Sequence, residues 1–84
     1  MNTVDGANHY RSQIKEVGRG LLWLKERIQR DTSFSDEELK GEAIANAVLA
    51  FRHAEDAAMR LGKVLQAANG GESIYDNSGV VEQK

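Results

Sequence analysis

Between residues 10 and 28 the apolar side chains Tyr10, Ile14, Val17, Leu21, Leu24 and Ile28 follow one another at alternating steps of four and three. That spacing is a seam along one side of a helix, made to lie against a second helix. No proline interrupts it or any later stretch. β-Branched and aromatic residues nowhere alternate over a strand's length, so helix is favoured through the first 69 residues.

The seam ends where helix-start signals begin. In "RDTSFSDEEL", Ser35 stands three residues before Glu38, the pair that reciprocally satisfies free backbone donors at a helix start. Phe34 and Leu39 flank it as a hydrophobic staple, and Asp36, Glu37 and Glu38 suit the positive end of the helix dipole. A second helix is expected from about 36 to 69, following Ile44, Val48, Phe51, Ala54, Ala58, Leu61 and Leu65. "NGG" at 69–71 supplies residues suited to a left-handed cap. Nine alanines between 43 and 68 support that helix and let a neighbouring backbone come close.

A connection of about five residues favours an antiparallel pair. The expected fold is therefore all-α: a helical hairpin forming one domain over 1–76. A short helix or arm at 1–9, broken from the rest by Gly6, leads into a helix of about 10–30. "ESIYDNSGVVEQK" is expected to give a docked turn at Ile74 and Tyr75, then a flexible tail over 77–84.

A chain of 84 residues has little room for a second domain and buries only about 60% of its unfolded surface. Opposite the second seam lie Leu49, His53, Ala57, Arg60 and Val64, a face too apolar to be simply wet. Trp23, far from the first seam with Leu22 nearby, suggests another covered surface. Two helices cannot bury four apolar faces between themselves. The hairpin is thus expected to assemble into a compact homo-oligomer.

Several classes of function find little support. No cysteine is present, which removes disulfides and thiolate chemistry and fits a reducing compartment. No apolar run approaches the ~20 residues of a membrane span, and the first residues lack the layout of a secretion signal. No membrane partner is expected. His9 and His53 have neither a nucleophile nor a metal-ligand pair at a recognisable spacing. Glu55 and Asp56 point in different directions on one helix, and "GRG" lacks the frame of a phosphate loop. An enzyme is not expected.

The net charge of −2 weighs against DNA or RNA as partner. Charge is unevenly spread, however. Residues 9–30 hold Arg11, Lys15, Arg19, Lys25, Arg27 and Arg30 against Glu16 and Glu26. Gly18 and Gly20 each cost about 1 kcal/mol relative to alanine inside a helix. They point to close helix packing, a kink, or a groove opened beside Lys25.

Two segments, "NHYRSQIKE" running into "LLWLKER" and "HAEDAAMRLGKVLQAANGGESIYD", resemble the phage anti-CBASS cyclic-oligonucleotide sponges of the anti-CBASS and Thoeris anti-defence group. The likeness spans residues 8–76 and includes the family's Glu-x-Ala-x-Met pattern at Glu55, Ala57 and Met59. It implies a short N-terminal helix, two longer antiparallel helices and an interlocked homohexamer. It further implies capture, without cleavage, of cyclic dinucleotides such as cGAMP, and in some members cyclic trinucleotides. Such capture blocks CBASS effectors in the cytoplasm of the infected bacterial host, and no cofactor takes part.

Carried onto this chain, Tyr10 stacks on a base and Lys25 meets a phosphate, with Arg11 a second phosphate contact. Arg60 or Lys63 belongs to the trinucleotide site. Many members carry tryptophan after the methionine where this chain has Arg60, which leaves that second site open. The competing expectation is an oligomeric adaptor that binds another protein through its Trp23 and Leu49 faces.

Overall fold

The computed structural model describes residues 1–71. The expectations for Ile74, Tyr75 and the tail lie outside the described residues. Within them the chain forms two helices packed against each other, α1 (Thr3–Arg30) and α2 (Glu37–Ala68).

α1 begins earlier than the sequence signals suggest, and the separate arm over 1–9 does not exist. Asn2 caps the helix, its side chain accepting from the Asp5 N–H at 2.8 Å. The Gly6 N–H donates to the Asn2 carbonyl at 2.8 Å, so Gly6 continues the helix instead of breaking it. Ala7, one position on, is buried in the core. A good cap and one buried contact outweigh the roughly 1 kcal/mol cost of an interior glycine.

The turn between the helices is built on two aspartates. Asp31 closes α1, its N–H donating to the Ile28 carbonyl at 3.1 Å. Its carboxylate accepts from the Ser33 N–H at 2.8 Å and the Ser33 hydroxyl at 2.7 Å. Those bonds, the hydroxyl's first, hold the Asp31 pKa below its ordinary value. The contribution of this turn to stability is present at neutral pH and fades as acid protonates Asp31.

Asp36 caps α2, accepting from the Glu38 N–H at 2.8 Å. Ser35, the expected cap, sits one residue too early, and a carboxylate at the next position is the stronger acceptor for the helix's positive end. With Asp36 as the cap, Phe34 and Leu39 no longer hold the staple positions one before the cap and four beyond it; Leu39 is exposed and Phe34 half-buried. At the far end the expectation holds. Gly70 and Gly71 adopt φ of 74° and 91°, and the Gly71 N–H donates to the Gln66 carbonyl at 2.9 Å.

The interface between the helices runs along Ala7, Arg11, Ile14, Gly18, Leu21, Lys25 and Ile28, all buried or half-buried. α2 meets it with Ala47, Val48, Phe51, Ala54, Ala58, Leu61 and Leu65. Ile14, Leu21 and Ile28 are where the sequence seam places them. Tyr10, Val17 and Leu24 are not: they are 56%, 56% and 39% exposed. The helix is rolled toward its other flank, because glycine and alanine there let α2 approach closely. Arg11 and Lys25 lay their aliphatic stems along the contact.

Gly18 is the point of closest fit. It is buried, and a Cβ added there meets the Phe51 ring at 3.7 Å, ordinary van der Waals contact. Gly18→Ala is therefore expected to raise stability by about 0.5–1 kcal/mol, since the helix gains and nothing clashes. Denaturant unfolding measures it. Gly20 is different: it is exposed, with nothing within 4 Å of its Cβ position, so it takes no part in packing the helices of one hairpin.

Candidate functional site

Along one side of the hairpin the two helices part over an apolar floor of Ile14, Gly18, Leu22, Phe51, Ala54 and Ala58. The groove so formed has a volume of about 600 Å³. Its α1 edge carries Arg11, Lys15 and Arg19, and its α2 edge carries Glu55 and Met59. Leu22 and Phe51 also line a second hollow of about 230 Å³, which adds Lys25 and Arg52.

The ladder Arg11, Lys15 and Arg19 thus borders a concave surface instead of facing open water. Helical spacing of four keeps the three cations on one flank of α1. Arg19 pairs with Glu16 on the outer surface. Arg11 is half-buried, with its Nε 3.8 Å from the position a Cβ would take on Gly62. The Arg11 side chain thus reaches across to α2 beside Gly62, at ordinary van der Waals distance. Lys25 is also half-buried and lines the smaller hollow with Leu21 and Ala47.

Tyr10 stands apart from these groups. It lies on the opposite flank of α1, exposed, with the His9 ring edge-on at 4.9 Å between centroids. Tyr10 and Lys25 are separated by 15 residues of one continuous helix, about 22 Å of rise. One protomer does not bring them together. Arg60 and Lys63 are exposed on α2 away from the groove, and Arg60 Nε lies 3.9 Å from Asp56 Oδ2. Neither lines either of these two hollows.

Arg52 and the Phe51 floor are the residues that sequence reasoning missed as parts of a candidate site. Phe51 reads simply as core, and Arg52 follows it on a helix without any motif. The signal that finds them is cross-helix: Arg52 joins Lys25 in lining one hollow only once the two helices are packed together.

Among the described residues no helix is long and apolar enough to cross a membrane, and no cluster of His, Asp or Glu is placed to hold a metal. No protein-family model, curated protein or solved structure matches the chain.

Proposed function

We propose that this protein is a sponge for cyclic nucleotides, a phage immune-evasion protein that captures cyclic dinucleotides such as cGAMP and holds them uncleaved. Sequestration keeps the signal from its CBASS effector in the cytoplasm of the infected host. The observation that carries the reading is the concentration of positive charge around an apolar hollow. Arg11, Lys15, Arg19, Lys25 and Arg52 border the joined grooves against Glu55, in a chain whose net charge is −2. A volume of about 600 Å³ is in the usual range for small-molecule sites.

Cyclic dinucleotides fit that chemistry on both counts. Their phosphodiesters keep a negative charge at every relevant pH, and their bases offer flat apolar faces. Tyr10, open to solvent beyond its edge contact with His9, is available to stack on a base. Because Tyr10 and Lys25 are about 22 Å apart along one helix, the site that uses both is shared between copies. Arg60 and Lys63, exposed on α2, serve a separate cyclic trinucleotide site where second helices converge in a larger assembly, a hexamer in the form the resemblance implies.

Calorimetry with a panel of cyclic dinucleotides and trinucleotides tests the proposal, followed by chromatography of ligand released on heating. Binding of at least one and its intact recovery are expected. A cleaved product points to an enzyme. Absence of heat with all of them favours the adaptor reading, which draws support from Trp23, 64% exposed on the outer side of α1.

A further inference from the structure

One side chain of the larger groove does not suit a site for anions alone. Glu55 stands on the α2 edge, with Arg11, Lys15 and Arg19 on the α1 edge and an apolar floor between. Glu16 is paired with Arg19, and Asp56 with Arg60. Among the described residues the Glu55 carboxylate makes neither an ion pair nor a hydrogen bond. It is exposed, so both of its oxygens are open to a ligand. A carboxylate beside a captured phosphodiester repels it and costs affinity, unless the same ligand offers it hydrogen-bond donors.

Helical spacing sets what surrounds those oxygens. Phe51 and Met59 lie one turn before and one turn after Glu55, and all three line the groove. This column sets a carboxylate between an aromatic ring and a thioether, both of which favour contact with a flat base. Arg52, one turn behind Glu55, lines the smaller hollow and not the larger one. Within the larger groove the cations belong to α1 and the carboxylate to α2.

The bases differ in what they offer a carboxylate. Only guanine sets two N–H donors side by side on its Watson–Crick edge, N1–H and the N2 amine, matching the spacing of two carboxylate oxygens. Adenine and cytosine place one amine beside a ring-nitrogen acceptor, and uracil places one N–H between two carbonyls. Each of these turns a lone pair toward the second oxygen. Unstacked bases are commonly read on this edge. A ribose hydroxyl is also a donor, but nucleotides of every base carry it.

We propose that Glu55 selects guanine, so that the ligands preferred in this groove are cyclic dinucleotides with at least one guanine base. This deepens the capture reading and rests on it. The pair of hydrogen bonds is charge-assisted and bidentate. Where guanine is present they offset the repulsion between Glu55 and the phosphates, and where it is absent the repulsion remains. One carboxylate thus both attracts the right ligand and disfavours the wrong one.

Calorimetry of the full chain with cyclic di-GMP, cyclic di-AMP and cyclic di-IMP tests it; the last keeps N1–H and lacks the N2 amine. Wild type should bind cyclic di-GMP at least about tenfold more tightly than cyclic di-AMP, with cyclic di-IMP between them. Glu55→Ala should weaken capture of cyclic di-GMP about tenfold and strengthen that of cyclic di-AMP about twofold, since only repulsion is lost there. A merely structural or electrostatic role moves both ligands the same way. Glu55→Gln keeps length and one acceptor but not the charge, and should fall between wild type and Glu55→Ala for cyclic di-GMP. Equal wild-type affinities, cyclic di-IMP bound as tightly as cyclic di-GMP, or Glu55→Ala shifting both ligands in one direction would overturn the guanine assignment and leave capture standing. No heat with any of the three would remove the capture reading itself, and this assignment with it.

Discussion

Replacing Leu65 with alanine is expected to destabilise the protein by about 2–5 kcal/mol, the largest effect of any single truncation in the hairpin. Leu65 is 1% exposed and is the one large side chain fully buried among the described residues. The other buried apolar residues there are Ala7, Ala47 and Ala58, which have little to lose. Net stability of a domain is only about 5–15 kcal/mol, so a loss of this size removes a large part of it. Thermal melting followed by circular dichroism at one fixed protein concentration measures the change. Leu39→Ala, at an exposed position, is the control and should stay within about 0.5 kcal/mol. Equal effects at the two positions would contradict the placement of the core.

Reversing charge at both ends of the groove, Arg11→Glu with Lys25→Glu, is expected to weaken cyclic dinucleotide capture by about a hundredfold or more. Each reversal removes a charge-assisted contact, typically about 1.5–3 kcal/mol, and adds repulsion toward the phosphate. Calorimetric titration of wild type and variant reads the difference. Both side chains are half-buried with their stems in the helix contact. The control that keeps stem volume but removes charge is Arg11→Met with Lys25→Met. Capture should fall in both variants, further in the reversal, and should fall in wild type as salt rises. Unchanged affinity in the reversal would place the ligand elsewhere.

The hairpin was legible in the sequence because its evidence is local. Ile14, Leu21 and Ile28 repeat at helical spacing, acidic residues open α2, and Gly70 and Gly71 close it with positive φ. The orientation of α1 was not legible. Its apolar stripe is wider than one seam, and choosing by apolarity selects Tyr10, Val17 and Leu24. The contact with α2 selects instead for closeness, and so takes Ala7, Gly18 and the stems of Arg11 and Lys25. Which flank wins depends on α2, and that is a tertiary fact.

The same rolling changes the meaning of the candidate site residues. Arg11, Lys15 and Arg19 stand in sequence only as part of the basic stretch 9–30, yet the packed hairpin sets them along the larger groove. Gly18 and Gly20 read alike, yet one is buried against Phe51 and the other faces open space. Tyr10 moves from core to surface, which frees it for a partner or a base. The continuity of α1 through residues 3–9 was missed because the Asn2 cap is a weaker signal in sequence than the glycine four residues on.

The central claim is that the capture site is completed between copies, with Tyr10 from one and Lys25 from another. Mixing tests it most directly. Tyr10→Ala and Lys25→Ala proteins, each impaired in dinucleotide capture, are unfolded together in equal amounts, refolded and titrated. With a shared site, random assortment pairs an intact Tyr10 with an intact Lys25 in about one site in four, and that fraction of wild-type capacity should return at wild-type affinity. A mixture that captures no more than the two variants do separately would contradict the account.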